Sequence, residues 1–168
     1  MKKFTFSLLL ILGFLWATPA MAQNYKGAIG ARLGVPLSVS AKYFVSETSA
    51  LEGFVGFRGY SSYRWVTVGA AYQIHNPLEI ENIEGLSWYY GVGVNAYFWT
   101  FKDNFLGVGE SESDVTFGVA GYLGLDYAFP EKPFNLTIDW VPTYFFNGFA
   151  NGFGGGYGSI GVRYIFAR

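Results

Sequence analysis

Side chains suited to acid–base or nucleophilic chemistry are few in this sequence. His75 is its single histidine, and cysteine is absent, which excludes thiolate nucleophiles, thiolate metal sites and disulfides. To act as a general base in acyl transfer, a histidine needs a serine and a carboxylate within hydrogen-bond reach. The sequence places no such pair visibly beside His75, so we predict a structural histidine, no enzyme and no cofactor.

Acidic residues alternate with serine in a second candidate group, which comprises Glu110, Glu112 and Asp114. Carboxylate oxygens are the ligands that hard divalent cations prefer, so a weak metal site is one interpretation of this segment. The alternative is a solvated loop without a metal, and the sequence favours that alternative.

The remaining charges fall on the polar side of segments in which polar and apolar residues alternate. Taken as inward-facing, they would form an interior charge network of Arg32, Lys42, Glu52, Arg58, Asp126, Asp139 and Arg163. A turn centred on Glu47 would place Lys42 directly across from Glu52. Unpaired burial costs several kcal/mol per ion, so we expect these charges to pair and to plug the interior.

Composition indicates what kind of element positions these groups. Of the 168 residues, 51% are hydrophobic, 21% aromatic and 14% charged, and 23 are glycine, whereas ordinary soluble domains are about 25% charged. Glycine weakens helices but lets strands bend. The net charge of −1 gives no reason to expect a nucleic-acid partner.

Alternation of apolar and polar residues with a period of two predicts an all-β chain. Eight segments show this pattern, which is the lower end of the bacterial range for membrane barrels. The predicted strands are 25–34, 38–45, 49–60, 64–75, 86–101, 115–129, 134–145 and 156–166. We therefore predict an antiparallel up-and-down transmembrane β-barrel with both termini on the periplasmic side.

The connections between these strands differ in length. Residues 46–48 and 130–133 predict tight periplasmic turns, and residues 102–114 and 146–155 predict longer outer loops. Residues 76–85 are long for a periplasmic turn, and we interpret them as a segment packed at the barrel edge.

The distribution of aromatic residues distinguishes a membrane barrel from a soluble one. A soluble barrel would turn its apolar residues inward. Here the apolar side has aromatic residues near the predicted strand ends, as in the girdles of membrane barrels: Tyr43, Tyr72, Trp88, Tyr127, Phe134, Trp140 and Tyr164. Phe54, Tyr89, Tyr97, Trp99 and Tyr122 fall on the inward side.

The N-terminus has the pattern of a signal peptide. Lys2 and Lys3 precede an apolar run over residues 4–16, and Ala20-Met21-Ala22 provides a cleavage site. The run is shorter than the roughly 20 residues of a membrane-spanning helix. We predict a signal peptide at residues 1–22, export through the periplasm, and a mature barrel at residues 23–168.

Several motifs together resemble a known group of proteins. They are residues 27–32, 50–54, 85–93, 133–142 and 161–166. The chain resembles eight-stranded outer-membrane barrels similar to OmpA and OmpX, and more narrowly the short barrel proteins of Bacteroidota. The resemblance implies a barrel in the outer membrane, in contact with lipid and lipopolysaccharide.

The last strand also resembles the signal that the barrel-assembly machinery reads, which favours a terminal aromatic residue. Here Ala167 and Arg168 follow Phe166, a departure from that pattern. The resemblance of the strand as a whole still makes the machinery an expected partner during insertion.

For function we predict a non-enzymatic barrel with a structural or accessory role, acting through its outer loops or within an outer-membrane protein complex. Phe146, Phe149 and Phe153 are the expected surface contacts, since exposed apolar patches usually mark interactions. One alternative is a narrow, porin-like transporter of small solutes, hydrophobic ones included, resembling OmpW. Another is a lipid A-modifying barrel enzyme.

Overall fold

The computed structural model describes residues 25–59, 63–101, 112–148 and 151–168. The predicted signal peptide at residues 1–22 lies outside these ranges and stays a prediction. No helix in the described part is long and apolar enough to cross a membrane.

Eight strands form the described part of the chain, and their bounds follow the alternating segments closely. They are β1 (Gly27–Gly34), β2 (Leu37–Phe44), β3 (Ser49–Gly59), β4 (Tyr63–Pro77), β5 (Leu86–Phe101), β6 (Glu112–Ala128), β7 (Phe134–Phe145) and β8 (Gly152–Ala167). The largest differences from the prediction are at the starts of β6 and β8, which take in residues expected in the outer loops. Glu112, Asp114 and Phe153 are therefore strand residues, which corrects their predicted loop positions.

Each strand pairs antiparallel with its neighbour in sequence, and β1 pairs with β8 to close the barrel. The predicted all-β, eight-stranded, up-and-down barrel is confirmed. Closure removes every free sheet edge, because each strand bonds to a neighbour on both sides. The even strand number puts both chain ends at one end of the barrel, called here the terminus end; the opposite end is the loop end.

Side chains alternate between the two faces of the wall. In β2, Ser38, Ser40 and Lys42 are buried, whereas Val39 and Tyr43 are exposed. The same alternation makes the outer face apolar on every strand, with exposed Val, Leu, Ile, Phe, Tyr and Trp side chains. The barrel thus has the reverse polarity of a soluble barrel, which turns its apolar side chains inward.

At the terminus end, residues 78–85 form a hairpin and not the edge-packed segment that the sequence suggested. β4 continues to Pro77, and Leu78 N–H then bonds Leu86 O at 2.9 Å. A bridge between Ile80 and Ile83 makes this connection a short hairpin that extends the β4–β5 pair. Both isoleucine side chains are exposed.

The interior is layered along the barrel axis. An apolar floor at the terminus end contains Tyr25, Ala28, Phe44, Ala50, Ala128 and Ile165. Ile165 breaks the polar pattern of inward β8 residues because it belongs to this floor. At the loop end, Trp65, Tyr97, Trp99 and Phe145 form an aromatic cluster. Six of the seven predicted charged residues lie between these two apolar layers, whereas Arg58 lies level with the aromatic cluster, opposite Trp65.

Candidate functional site

The β2–β3 hairpin positions the first charged pair. Val45 N–H bonds Ser49 O at 2.9 Å, and the turn sets Lys42 opposite Glu52 in the register. Both side chains point inward, and Lys42 Nζ lies 3.9 Å from Glu52 Oε2. Lys42 Nζ approaches Asp126 Oδ2 more closely, at 3.1 Å, and lies 4.4 Å from the centre of the Tyr89 ring. Lys42 therefore links two carboxylates on opposite sides of the interior.

Arg163 of β8 donates hydrogen bonds to four described residues of the interior. One guanidinium nitrogen donates to Glu52 Oε1. Its Nε donates to Ser40 Oγ at 2.9 Å, and its Nη1 donates to Thr137 Oγ1 at 3.0 Å and to Asn135 Oδ1 at 3.3 Å. Since this fully buried guanidinium bonds groups on three other strands, it ties opposite walls of the barrel together.

Arg32 and Asp139 form a second centre, nearer the loop end. Arg32 Nη2 donates to both carboxylate oxygens of Asp139, at 3.0 and 3.1 Å. Ser159 Oγ and the Tyr89 hydroxyl also donate to that carboxylate, each at 2.7 Å. Arg32 Nη1 lies 3.6 Å from Glu52 Oε1, which connects this centre to Arg163 and Lys42.

Asp126 completes the network at the edge of the apolar floor. It accepts hydrogen bonds from the Tyr25 hydroxyl at 2.9 Å, from Lys42 Nζ and from Asn135 Nδ2. Asn135 therefore contacts both Asp126 and Arg163. Tyr25 and Asn135 are buried members that charge patterning alone missed.

Taken together, six of the seven predicted interior charges meet in one network. Three cations face three carboxylates, so the network is neutral, and each of the six is at most 5% exposed. Charge-assisted hydrogen bonds of this kind are stronger than neutral ones. Pairing of this quality offsets the desolvation cost of the burial and fixes strands on opposite sides of the barrel.

The seventh predicted residue, Arg58, lies elsewhere, which corrects its assignment to this network. It is half-buried one residue before the end of β3, toward the loop end, within electrostatic range of Tyr157. The Arg58 side chain is on the inward side of β3, but Arg58 lies six positions from Glu52 along the strand. At about 3.3 Å per residue this is too far for a shared contact.

His75 is fully buried between two rings. Its imidazole stacks on Tyr89 at 4.8 Å and 17° and contacts Phe44 at 4.8 Å. Nδ1 lies 3.9 Å from Asp126 Oδ2, and neither ring nitrogen has a hydrogen-bond partner among the described residues. A general base needs a hydrogen-bonded nucleophile, and none is present at this histidine in that part of the chain.

Of the three acidic residues considered as a metal site, only Asp114 has a described side chain. Asp114 accepts a hydrogen bond from Val115 N–H at 2.8 Å within β6, the Glu112 side chain is not described, and Glu110 lies outside the described residues. No group of three or more histidine or acidic side chains is placed to hold a metal within the ranges given above.

Of the three phenylalanines predicted as surface contacts, two are described. Phe146 is exposed just after β7, with its ring 5.7 Å from that of Tyr144. Phe153 is exposed on the outer face of β8, opposite Tyr144. Phe149 lies outside the described residues.

A small cavity separates the charge network from the aromatic cluster. It has a volume of about 30 Å³, and its lining includes Arg32, Asn95, Tyr97 and Tyr122. The amide oxygen of Asn95 has no hydrogen-bond partner in the described part of the chain. A polar cavity of this size holds one or two water molecules or an equally small polar group.

Comparison with known proteins identifies the fold alone. No family model matches the chain, and no curated protein matches it. The crystal structure of the N-terminal β-barrel domain of Pseudomonas aeruginosa OprF is similar, with a TM-score of 0.62 and 16% identity over 84% of this chain and 98% of that one. The crystal structure of Neisserial surface protein A (NspA) is also similar, with a TM-score of 0.55 and 15% identity over 83% of this chain and 93% of that one.

Proposed function

We propose that this chain is an integral outer-membrane β-barrel, exported with a cleaved signal peptide, whose interior is closed along the axis and which acts without catalysis through its loop-end surface. The observation that carries membrane residence is the reversed polarity of the wall: paired charges inside and an apolar outer face on every strand. A large contiguous apolar surface of this kind requires lipid or a partner to cover it.

The charge network supports axial closure. A solute moving along the axis would have to pass the apolar floor and then part Arg163 from Glu52 and Arg32 from Asp139. Breaking a buried pair costs about 3–5 kcal/mol. An axial porin-like transporter is therefore the weaker proposal.

The environment of His75 favours a structural role over lipid A modification. Rings flank the imidazole on two sides, and the carboxylate beside it already accepts three hydrogen bonds. It also lies near the terminus end, which in this proposal is the periplasmic end. An enzyme acting on lipopolysaccharide would need its base at the opposite, outer leaflet.

The loop-end aromatic patch, defined here as Tyr144, Phe146 and Phe153, is the proposed contact surface for lipopolysaccharide or a partner in an outer-membrane complex. All three side chains are exposed and lie together where β7 ends and β8 begins. Aromatic side chains are enriched in binding surfaces because they bury a large area with little loss of conformational freedom.

Mild-detergent purification of the tagged protein from outer membranes tests this proposal. We expect the protein in the outer-membrane fraction, with lipopolysaccharide or a second protein accompanying it, and loss of that companion in Phe146→Ser. The matched control is Phe57→Ser, because Phe57 is 61% exposed on β3 and Phe146 is 58% exposed. Recovery of the protein from a soluble fraction would refute membrane residence. Equal amounts of co-purifying lipopolysaccharide or protein in both variants would refute the proposed contact surface.

A further inference from the structure

A cleft opens at the terminus end of the barrel, between the hairpin at residues 78–85 and the turn that joins β6 to β7. It has a volume of about 450 Å³, and its lining includes Asn82, Glu84, Tyr127, Phe129, Glu131 and Lys132. These residues come from two separate segments of the chain, so residues 82–84 form one wall and residues 127–132 form the other. We call it the terminus-end cleft.

Hydrogen bonds hold both walls of the cleft in place. Ala128 N–H bonds Gly85 O at 2.9 Å, which ties the hairpin to the end of β6. The Arg168 guanidinium donates to three carbonyl oxygens of residues 129–132, each at 2.8 Å. Because the protein itself fixes both walls, the cleft is formed before any ligand arrives, as binding sites for small molecules usually are.

The aromatic side chains of the cleft indicate its depth in a membrane. Tyr127 continues the outer face of β6 beyond Leu123 and Leu125, which are both exposed, and its ring lies 4.7 Å from that of Phe129. Aromatic residues near the strand ends of membrane barrels lie at the level of the lipid headgroups. The cleft therefore opens at headgroup level, directly beyond an apolar wall along which acyl chains can lie.

The cleft offers charges of both signs. Glu84 on the hairpin and Glu131 on the turn supply carboxylates from opposite walls, and Lys132 supplies an ammonium group. All three side chains are exposed, and within the described ranges none of them forms an ion pair. They are therefore available to a ligand that has a cation and an anion close together.

From this arrangement we infer that the terminus-end cleft binds the headgroup of a phospholipid with a primary ammonium group, of the phosphatidylethanolamine class. The ammonium group donates to Glu84 and Glu131 beside the two aromatic rings, which also attract a cation, and Lys132 contacts the phosphate. A choline headgroup has no N–H to donate, and a glycerol headgroup has no cation, so both fit the two carboxylates less well. The inference goes beyond the loop-end function but rests on the proposed membrane residence.

Native mass spectrometry of the delipidated mature protein in detergent tests the site. The probes are the dioleoyl forms of phosphatidylethanolamine, phosphatidylcholine and phosphatidylglycerol, so that only the headgroup differs. We expect the first molecule of phosphatidylethanolamine to bind about tenfold more tightly than the other two lipids, a modest factor because exposed ion pairs contribute less than buried ones. Soluble glycerophosphoethanolamine should bind more weakly than the lipid, because it lacks the acyl chains that contact the apolar wall.

The decisive variant removes both carboxylates of the cleft. Glu84→Gln combined with Glu131→Gln should abolish the preference for phosphatidylethanolamine. The matched control is Glu79→Gln combined with Glu81→Gln, which removes two charges from the same hairpin outside the cleft lining and should keep the preference. Lys132→Gln should weaken the binding of all three lipids, because each contains the phosphate. All five substituted side chains are exposed, so we expect every variant to fold, and circular dichroism verifies this.

Flotation of the protein with lipid vesicles separates failure of this inference from failure of membrane residence. A protein that does not float with the vesicles would overturn membrane residence. A protein that floats but binds the three lipids equally, or that loses the same affinity in both double variants, would overturn the headgroup site alone. Tighter binding of phosphatidylcholine or phosphatidylglycerol would also overturn it. Equal affinities for glycerophosphoethanolamine and for the lipid would overturn the lipid as the occupant of the cleft.

Discussion

Arg163 of β8 donates a hydrogen bond to Glu52 of β3 across the barrel interior, between residues 111 positions apart in the sequence. The contact joins strands separated by β1 and β2 along the wall. Glu52 also lies 3.6 Å from Arg32 and 3.9 Å from Lys42. Its carboxylate therefore lies within ion-pair distance of three cations and shares them with Asp126 and Asp139.

Replacement of this carboxylate should destabilise the barrel strongly. Glu52→Gln preserves the side-chain shape but leaves three buried cations with two carboxylates, and we expect a loss of about 3–5 kcal/mol of unfolding free energy. Tryptophan fluorescence during urea unfolding in lipid vesicles measures it. Glu52→Gln combined with Arg163→Met leaves Arg32–Asp139 and Lys42–Asp126 as two intact pairs. The double variant should therefore lose less than the sum of the two single variants; simple additivity would contradict the pairing.

Asn135 should matter as much as a charged residue, although it is neutral. It bonds both Asp126 and Arg163 inside the barrel, so Asn135→Leu leaves an acceptor and a donor without their partner. Each unsatisfied buried group costs about 1–3 kcal/mol. The control is Thr143→Val, which removes one long hydrogen bond of 3.4 Å to Val141 O and should cost under about 1 kcal/mol. Equal unfolding midpoints for the two variants would argue against a bridging role.

Only some of these interior contacts could be predicted from the sequence. Lys42 and Glu52 were predicted as a pair because a tight turn fixes the register of one hairpin. The bond from Arg163 to Glu52 crosses the lumen, and its formation depends on the stagger and tilt of all eight strands. A polar residue such as Asn135 has no distinguishing pattern in one sequence. Its role follows only once Asp126 and Arg163 are placed on either side of it.

The hairpin at residues 78–85 and the early starts of β6 and β8 were missed for a different reason. Ile80 and Ile83 alternate with glutamate, so their pattern did not distinguish a hairpin extension from an edge-packed segment. The glycines near Phe153 resembled a flexible loop, although glycine in a strand also permits close packing. A Cβ on Gly154 would overlap the Phe145 ring, which explains glycine at that position of β8.

Gly85 should be sensitive to the smallest substitution. Its φ is +86°, and an added Cβ would collide with the carbonyl oxygen of Ala128. Ala128 N–H bonds Gly85 O at 2.9 Å, so movement away from the clash would weaken that bond. We expect Gly85→Ala to cost about 1–3 kcal/mol. Gly53→Ala is the matched control, because its Cβ would meet nothing within 4 Å; thermal unfolding should leave Gly53→Ala near wild type and lower the midpoint of Gly85→Ala.

If the outer face contacts lipid, the stability lost on introducing an arginine should depend on its depth along the barrel wall. Val92 is 68% exposed near the middle of β5, whereas Ile83 is 42% exposed in the hairpin beyond the strand ends. An arginine at the bilayer midplane costs a barrel about 2–4 kcal/mol, and one near the interface costs about 0–1 kcal/mol. We therefore expect Val92→Arg to unfold at markedly lower urea concentration than Ile83→Arg in lipid vesicles. In a short-chain detergent micelle, which deforms around a charge, the difference should shrink. If both variants lost the same stability in vesicles, the apolar belt would not be facing lipid, and a protein partner would have to cover it.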